Sequence, residues 1–200
     1  MKRDVRLYLA RHGQIYGFEK QVMCGFTDTP LTPVGIMQME RLSERLRHAD
    51  IDIIYSSDLQ RSSLGAQIVA RDHDAEVFQL SELRELNFGT WEGLSLTELT
   101  EQFPEEAAKR KADILNFQIP EGETLVGFSK RISACLNSIL AGNHERDILI
   151  LAHKGVNRVI LCHLLELDLS KVFIFQQDYG CLNVIDLFPD NTKVIKLING

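Results

Sequence analysis

A chain of 200 residues, 44% hydrophobic and 25% charged, fits one ordinary domain with a sizeable core, expected to span 1–200. A formal charge of −6 argues against a general nucleic-acid binder but admits a small anionic ligand, provided positive charge is gathered locally. No apolar run is long enough for a signal peptide or a bilayer span, and Cys24, Cys135, Cys162 and Cys181 show neither zinc-site spacing nor a disulfide framework. The reading is a cytoplasmic protein without membrane or nucleic-acid partners.

From Val5 to Ala10 the chain reads as a buried strand, and it runs straight into Arg11, His12 and Gly13. "LTPVGIMQMERLSERLRHAD" reads as a helix, with Thr32 as its cap, Pro33 in the first turn, and Met39, Leu42 and Leu46 at helical spacing. "IDIIYSS" is a short strand. The next segment, "DLQRSSLGAQIVA", is a helix with Ser57 or Asp58 as its cap and Arg61 in its first turn. "AEVFQL" is a third strand. Ser95 and Glu98 have the spacing of a capping box, and Pro104 ends or restarts that helix. Between Pro104 and Pro120 the sequence reads as charged and irregular. A clear amphipathic helix follows Thr124 and ends near Gly142, with Leu125, Phe128, Ile132, Leu136 and Ile139 on one face. "DILILAH" suits a central strand buried on both faces and delivers His153, Lys154 and Gly155. A helix and two closing strands, "CLNVIDLF" and "KVIKLI", complete the chain.

Strand–helix alternation implies a layered α/β domain with a mostly parallel sheet, and such sheets bind ligands beyond the carboxyl ends of their strands. Arg11–His12–Gly13, Arg61 and His153–Lys154–Gly155 all fall there. Arginine forks match phosphate oxygens, and a neutral imidazole offers a lone pair once a carbonyl fixes its other nitrogen. His48, His73, His144 and His163 lack this placement and read as surface or packed residues. No aspartate-rich cluster accompanies the site, so no metal or other cofactor is expected.

The ordered set "ARHG", "PLTPVG", "SSDLQRS", "ELNFGTWEG" and "AHKG" resembles the histidine phosphatase superfamily, also called phosphoglycerate-mutase-like, over nearly the whole chain. The resemblance implies a three-layer α/β/α sandwich. It implies that His12 is the nucleophile of a phosphohistidine intermediate and that Arg11, Arg61 and His153 surround the phosphoryl oxygens, with Lys154 or Gly155 adding a donor. It further implies that Glu85, rather than Glu82 or Glu92, is the proton donor, and that Glu123 and Thr124 lie near the site. Gln14, Ile15, Phe18 and Lys154 depart from the usual family residues, which bears on substrate recognition. The expected activity is hydrolysis of a small phosphorylated metabolite, most like α-ribazole-5′-phosphate phosphatases and the broad-specificity phosphatases near them. The alternatives are a phosphoglycerate mutase, whose members are usually longer, with an insertion before the final motif and a C-terminal tail that covers the site, and a non-catalytic phospho-ligand binder. The sequence leaves oligomeric state open.

Overall fold

The computed structural model describes residues 2–200. Six strands form one sheet in the order β3-β2-β4-β1-β5-β6. The strands are β1 (Val5–Arg11), β2 (Ile53–Ser56), β3 (Glu76–Gln79), β4 (Asp147–Ala152), β5 (Leu182–Leu187) and β6 (Lys193–Leu197). β3, β2, β4 and β1 run parallel, β5 alone runs against them beside β1, and β6 pairs antiparallel with β5.

Period-two alternation sorts the core into two layers. Val5, Leu7 and Leu9 of β1 and Ile148, Ile150 and Ala152 of β4 face one cluster, which takes in Phe128, Ile132, Leu136, Val156 and Ile160. Tyr8 and Ala10 of β1 and Leu149 and Leu151 of β4 face the other, with Met39, Leu42, Leu46, Ile68 and Val69. Helices α1 (Pro33–Leu46) and α2 (Gln60–Ala70) thus cover one face of the sheet. α5 (Leu125–Ala141) and α6 (Lys154–Leu164) cover the other, as a three-layer α/β/α sandwich requires.

The caps at Thr32, Ser95 and Thr124 form as the sequence predicts. Their hydroxyls accept from the N–H groups of Gly35, Glu98 and Gly127 at 3.0, 3.2 and 2.9 Å, and Glu98 closes its box back onto Ser95.

Two expectations are corrected. The segment after Pro104 is a helix, α4 (Pro104–Ala112), which follows α3 (Leu96–Gln102). Its proline occupies the first turn beside Glu105 and Glu106, and Lys109, Arg110 and Lys111 close it, so charge complements the helix dipole at both ends. Nor does α2 take Ser57 or Asp58 as its cap. Leu59 holds that position without a side-chain bond, because both polar side chains are committed elsewhere: Ser57 to His153, and Asp58 to a forked pair with Arg84.

Candidate functional site

Register sets the site. Arg11 of β1 pairs with Ala152 of β4, and Ser56 of β2 pairs with Leu151. The residues that follow, His12, His153 and Ser57, therefore emerge together at the carboxyl ends of three adjacent central strands. The two imidazoles lie edge to face, with ring centroids 5.1 Å apart. His12 is 4% exposed and His153 is fully buried, so each ring sits in a site that penalises charge.

Each ring is oriented by an identifiable partner. Nδ1 of His12 lies 2.7 Å from the carbonyl oxygen of Gly13. A carbonyl only accepts, so Nδ1 carries the proton and Nε2 keeps its lone pair. Nε of Arg61 donates to Nδ1 of His153 at 3.3 Å, which leaves the proton on Nε2, and that N–H donates to Oγ of Ser57 at 2.6 Å. Desolvation first, then Arg11 and Arg61, push the proton affinity of His12 well below the usual histidine range. His153 is pushed the same way by burial, Arg61, His12 and Arg11. Both imidazoles are neutral at pH 7.

The arginines are fixed by backbone carbonyls. Fully buried Arg61 donates to Thr27 O at 2.7 Å, Gly25 O at 2.6 Å and Cys24 O at 3.4 Å. That loop is held from behind by Glu92, whose carboxylate accepts from the N–H groups of Gly25, Phe26 and Thr27. Glu92 is thus an anchor for Arg61. Arg11 donates to Gln177 O at 2.8 Å and lies over the Tyr179 ring, 3.7 Å from its centroid. The Gln177 side chain belongs to a buried amide cluster with Asn157 and Asn183.

Glu85 is 9% exposed, whereas Glu82 is exposed on the surface. Oε2 of Glu85 accepts from the Gly155 N–H at 2.7 Å and Oε1 from the Leu86 N–H at 2.9 Å. A Cβ at Gly155 would lie 2.2 Å from Oε1, so only glycine lets this carboxylate reach the start of α6. The Gly155 N–H is occupied by Glu85, and its observed role is to place the carboxyl group. Lys154 is half-buried beside Glu85, in the wall of an adjoining cavity. Glu123 pairs with Arg131, and Arg131 donates to the carbonyls of Glu82, Arg84 and Glu85, so this ion pair braces the Glu85 segment.

Further sequence features resolve as scaffolding. A Cβ at Gly13 would lie 2.2 Å from Gly35 O, so this glycine permits an approach of two backbone segments. The side chain of Gln14 accepts from Thr32 Oγ1 at 2.9 Å, tying the loop after β1 to the start of α1. Trp91 is fully buried against Phe117 and donates to Glu106 at 3.1 Å. Among the described residues, no group of three or more His, Cys, Asp or Glu side chains is gathered in a way that could hold a metal ion. Sequence reasoning missed Ser57 as a partner of His153, and the anchoring by Glu92 and Gln177.

A mostly parallel α/β sheet that ends in two neutral histidines, two carbonyl-anchored arginines and a buried carboxyl group has the parts of a phosphoryl-transfer enzyme. The family model described as Histidine phosphatase superfamily (branch 1) matches residues 7–200, and the chain belongs to that family. It is 30% identical over 195 residues to the adenosylcobalamin/alpha-ribazole phosphatase of Salmonella typhimurium, covering 98% of this chain and 96% of that protein. Phosphoserine phosphatase 1 of Hydrogenobacter thermophilus is 27% identical, covering 96% and 92%. The crystal structure of a putative alpha-ribazole-5'-P phosphatase from Escherichia coli superposes with a TM-score of 0.91 at 26% identity, covering 98% and 96%. The protein is a phosphatase of this superfamily.

Proposed function

We propose that the protein hydrolyses a small phosphate monoester in two half-reactions through His12. Nε2 of His12 attacks phosphorus, the bond from phosphorus to the alcohol oxygen breaks, and Glu85 gives its proton to the departing oxygen. Water then attacks the phosphohistidine, Glu85 takes the water proton, and phosphate leaves with His12 restored. Arg11 and Arg61, with Lys154 at the margin, stabilise charge on the phosphoryl oxygens, and His153 joins them by exchanging Ser57 Oγ for a phosphoryl oxygen at its Nε2–H. The carrying observation is the 2.7 Å contact from Nδ1 of His12 to Gly13 O, which leaves Nε2 available on a ring kept neutral by burial and two arginines. On this reading the substrate is a small phosphorylated metabolite of the cytoplasm.

The names of the relatives make α-ribazole 5′-phosphate the first ester to assay. The mechanism is tested through Glu85→Gln. This change is expected to lower kcat about 10²- to 10³-fold for alkyl phosphates and less than about tenfold for p-nitrophenyl phosphate, whose leaving group hardly needs a proton. Equal losses on both substrates would contradict the role of Glu85 as the acid.

A further inference from the structure

Glu85 and Gly155 also line a cavity of about 140 Å³. Leu86, Phe88, Leu125, Phe128 and Phe173 give it largely apolar walls. Three cations complete the lining: Arg110 from α4, and Lys154 and Arg158, one turn apart on α6. Glu85 is its sole carboxylate, and that group is already held by two backbone N–H groups.

The charge balance there is unusual. Among the described residues, none of the three cations forms an ion pair, although others such as Arg6, Arg84 and Arg131 do. Nε of Arg158 donates to Phe175 O at 2.8 Å, which fixes the guanidinium and leaves its two terminal nitrogens available. Burial weakens proton binding at all three, and Lys154 is further disfavoured by Arg158 and Arg11. Arg158 disfavours the charge on Lys154, Arg110 is penalised by burial alone, and Glu85 favours Lys154 and Arg158 without pairing with either. Three half-buried cations face one carboxylate, and the apolar walls strengthen attraction to an arriving anion.

Lys154 directly follows His153, and Glu85 is close enough to Arg11 to act on its charge, so this cavity lies beside the residues of the phosphate site. An ester with its phosphate at His12 and its alcohol oxygen at Glu85 therefore directs the rest of the alcohol toward this cavity. We propose that Arg110, Lys154 and Arg158 select phosphate esters whose alcohol half carries a second anionic group, a carboxylate or another phosphate. This rests on the phosphatase reading above and deepens it to a substrate class.

The test compares esters of similar size on the wild-type protein, scored by phosphate release. Glycerol 3-phosphate is the neutral reference, 3-phosphoglycerate replaces its hydroxymethyl group with a carboxylate, and glycerol 1,3-bisphosphate supplies a second phosphate. At least one acidic ester is expected to exceed the reference in kcat/KM by about tenfold or more, and which one does identifies the anion. Arg158→Met and Arg110→Met are each expected to reduce that ratio about tenfold, with p-nitrophenyl phosphate turnover reporting intact enzyme. Equal kcat/KM for acidic and neutral esters would overturn the proposal while leaving the phosphatase reading standing, as would faster turnover of α-ribazole 5′-phosphate than of either acidic ester. Absence of phosphate release from every ester, p-nitrophenyl phosphate included, would overturn both.

Discussion

The phosphate site and the adjoining cavity are both basic, yet they are built in opposite ways. At the phosphate site each guanidinium is tied to carbonyls: Arg61 to residues 24–27 and Arg11 to Gln177. These carbonyls are themselves placed by Glu92 and by the buried amide cluster. In the adjoining cavity the cations come from two separate helices, stay half-buried and have no anionic partner among the described residues. Stabilising a phosphoryl transition state requires donors fixed before the substrate arrives. Discriminating between alcohols requires only differential contact. On the two proposals above, the first region carries the chemistry and the second the selection.

The contrast can be sharpened by mutation. Ser57→Ala removes the acceptor for His153 Nε2–H and loosens the ring that faces His12. It is expected to lower kcat about tenfold for every ester, with KM changed less than about twofold, because positioning is lost equally for all substrates. Arg158→Met is expected to act on acidic esters selectively. A uniform effect from Arg158→Met, or an ester-selective effect from Ser57→Ala, would break the division between the two regions.

A smaller effect concerns pH. His12 and His153 have proton affinities depressed in the fold, whereas in the unfolded chain they titrate near the ordinary value of about 6.5. Below about pH 6.5 the unfolded chain binds protons that the folded chain refuses. The stability contribution is therefore complete above that pH and is lost as pH falls toward the depressed folded values. Tm is expected to fall between pH 7 and pH 5, and His12→Asn is expected to flatten the decline. An unchanged slope in that variant would contradict a buried, neutral His12. The depressed carboxylates of Asp58 and Asp186 act in a lower window, as pH falls below about 3.8, and do not obscure the comparison.

Much of the first region was legible in the sequence because its signal is local. An apolar strand that ends in Arg11–His12, and another that ends in His153, mark positions whose side chains emerge at one edge of a parallel sheet. The sequence offers Ser57 or Asp58 as a helix cap because such residues ahead of a helix usually cap it, and only β2–β4 register shows that Ser57 stands beside His153. It offers the N–H of Lys154 or Gly155 as a donor to phosphate, and the reach of Glu85 to Gly155 across 70 residues leaves no trace in spacing. The second region was illegible. Arg110 lies in a segment read as irregular, although its proline, leading glutamates and trailing basic residues carried a helix signal. Arg158 lies on α6 among residues that read simply as helix. The meeting of Arg110 with Lys154 and Arg158 around one cavity is a tertiary event without a local pattern.

The most direct test of the account mixes the wild-type protein with excess phosphate ester, quenches within one turnover, and maps the phosphoryl group by peptide mass spectrometry under alkaline conditions. One acid-labile phosphoryl group per chain on the peptide containing His12, absent in His12→Ala, is the predicted result. Full turnover without a covalent phosphoryl group, or label on a peptide lacking His12, would contradict it.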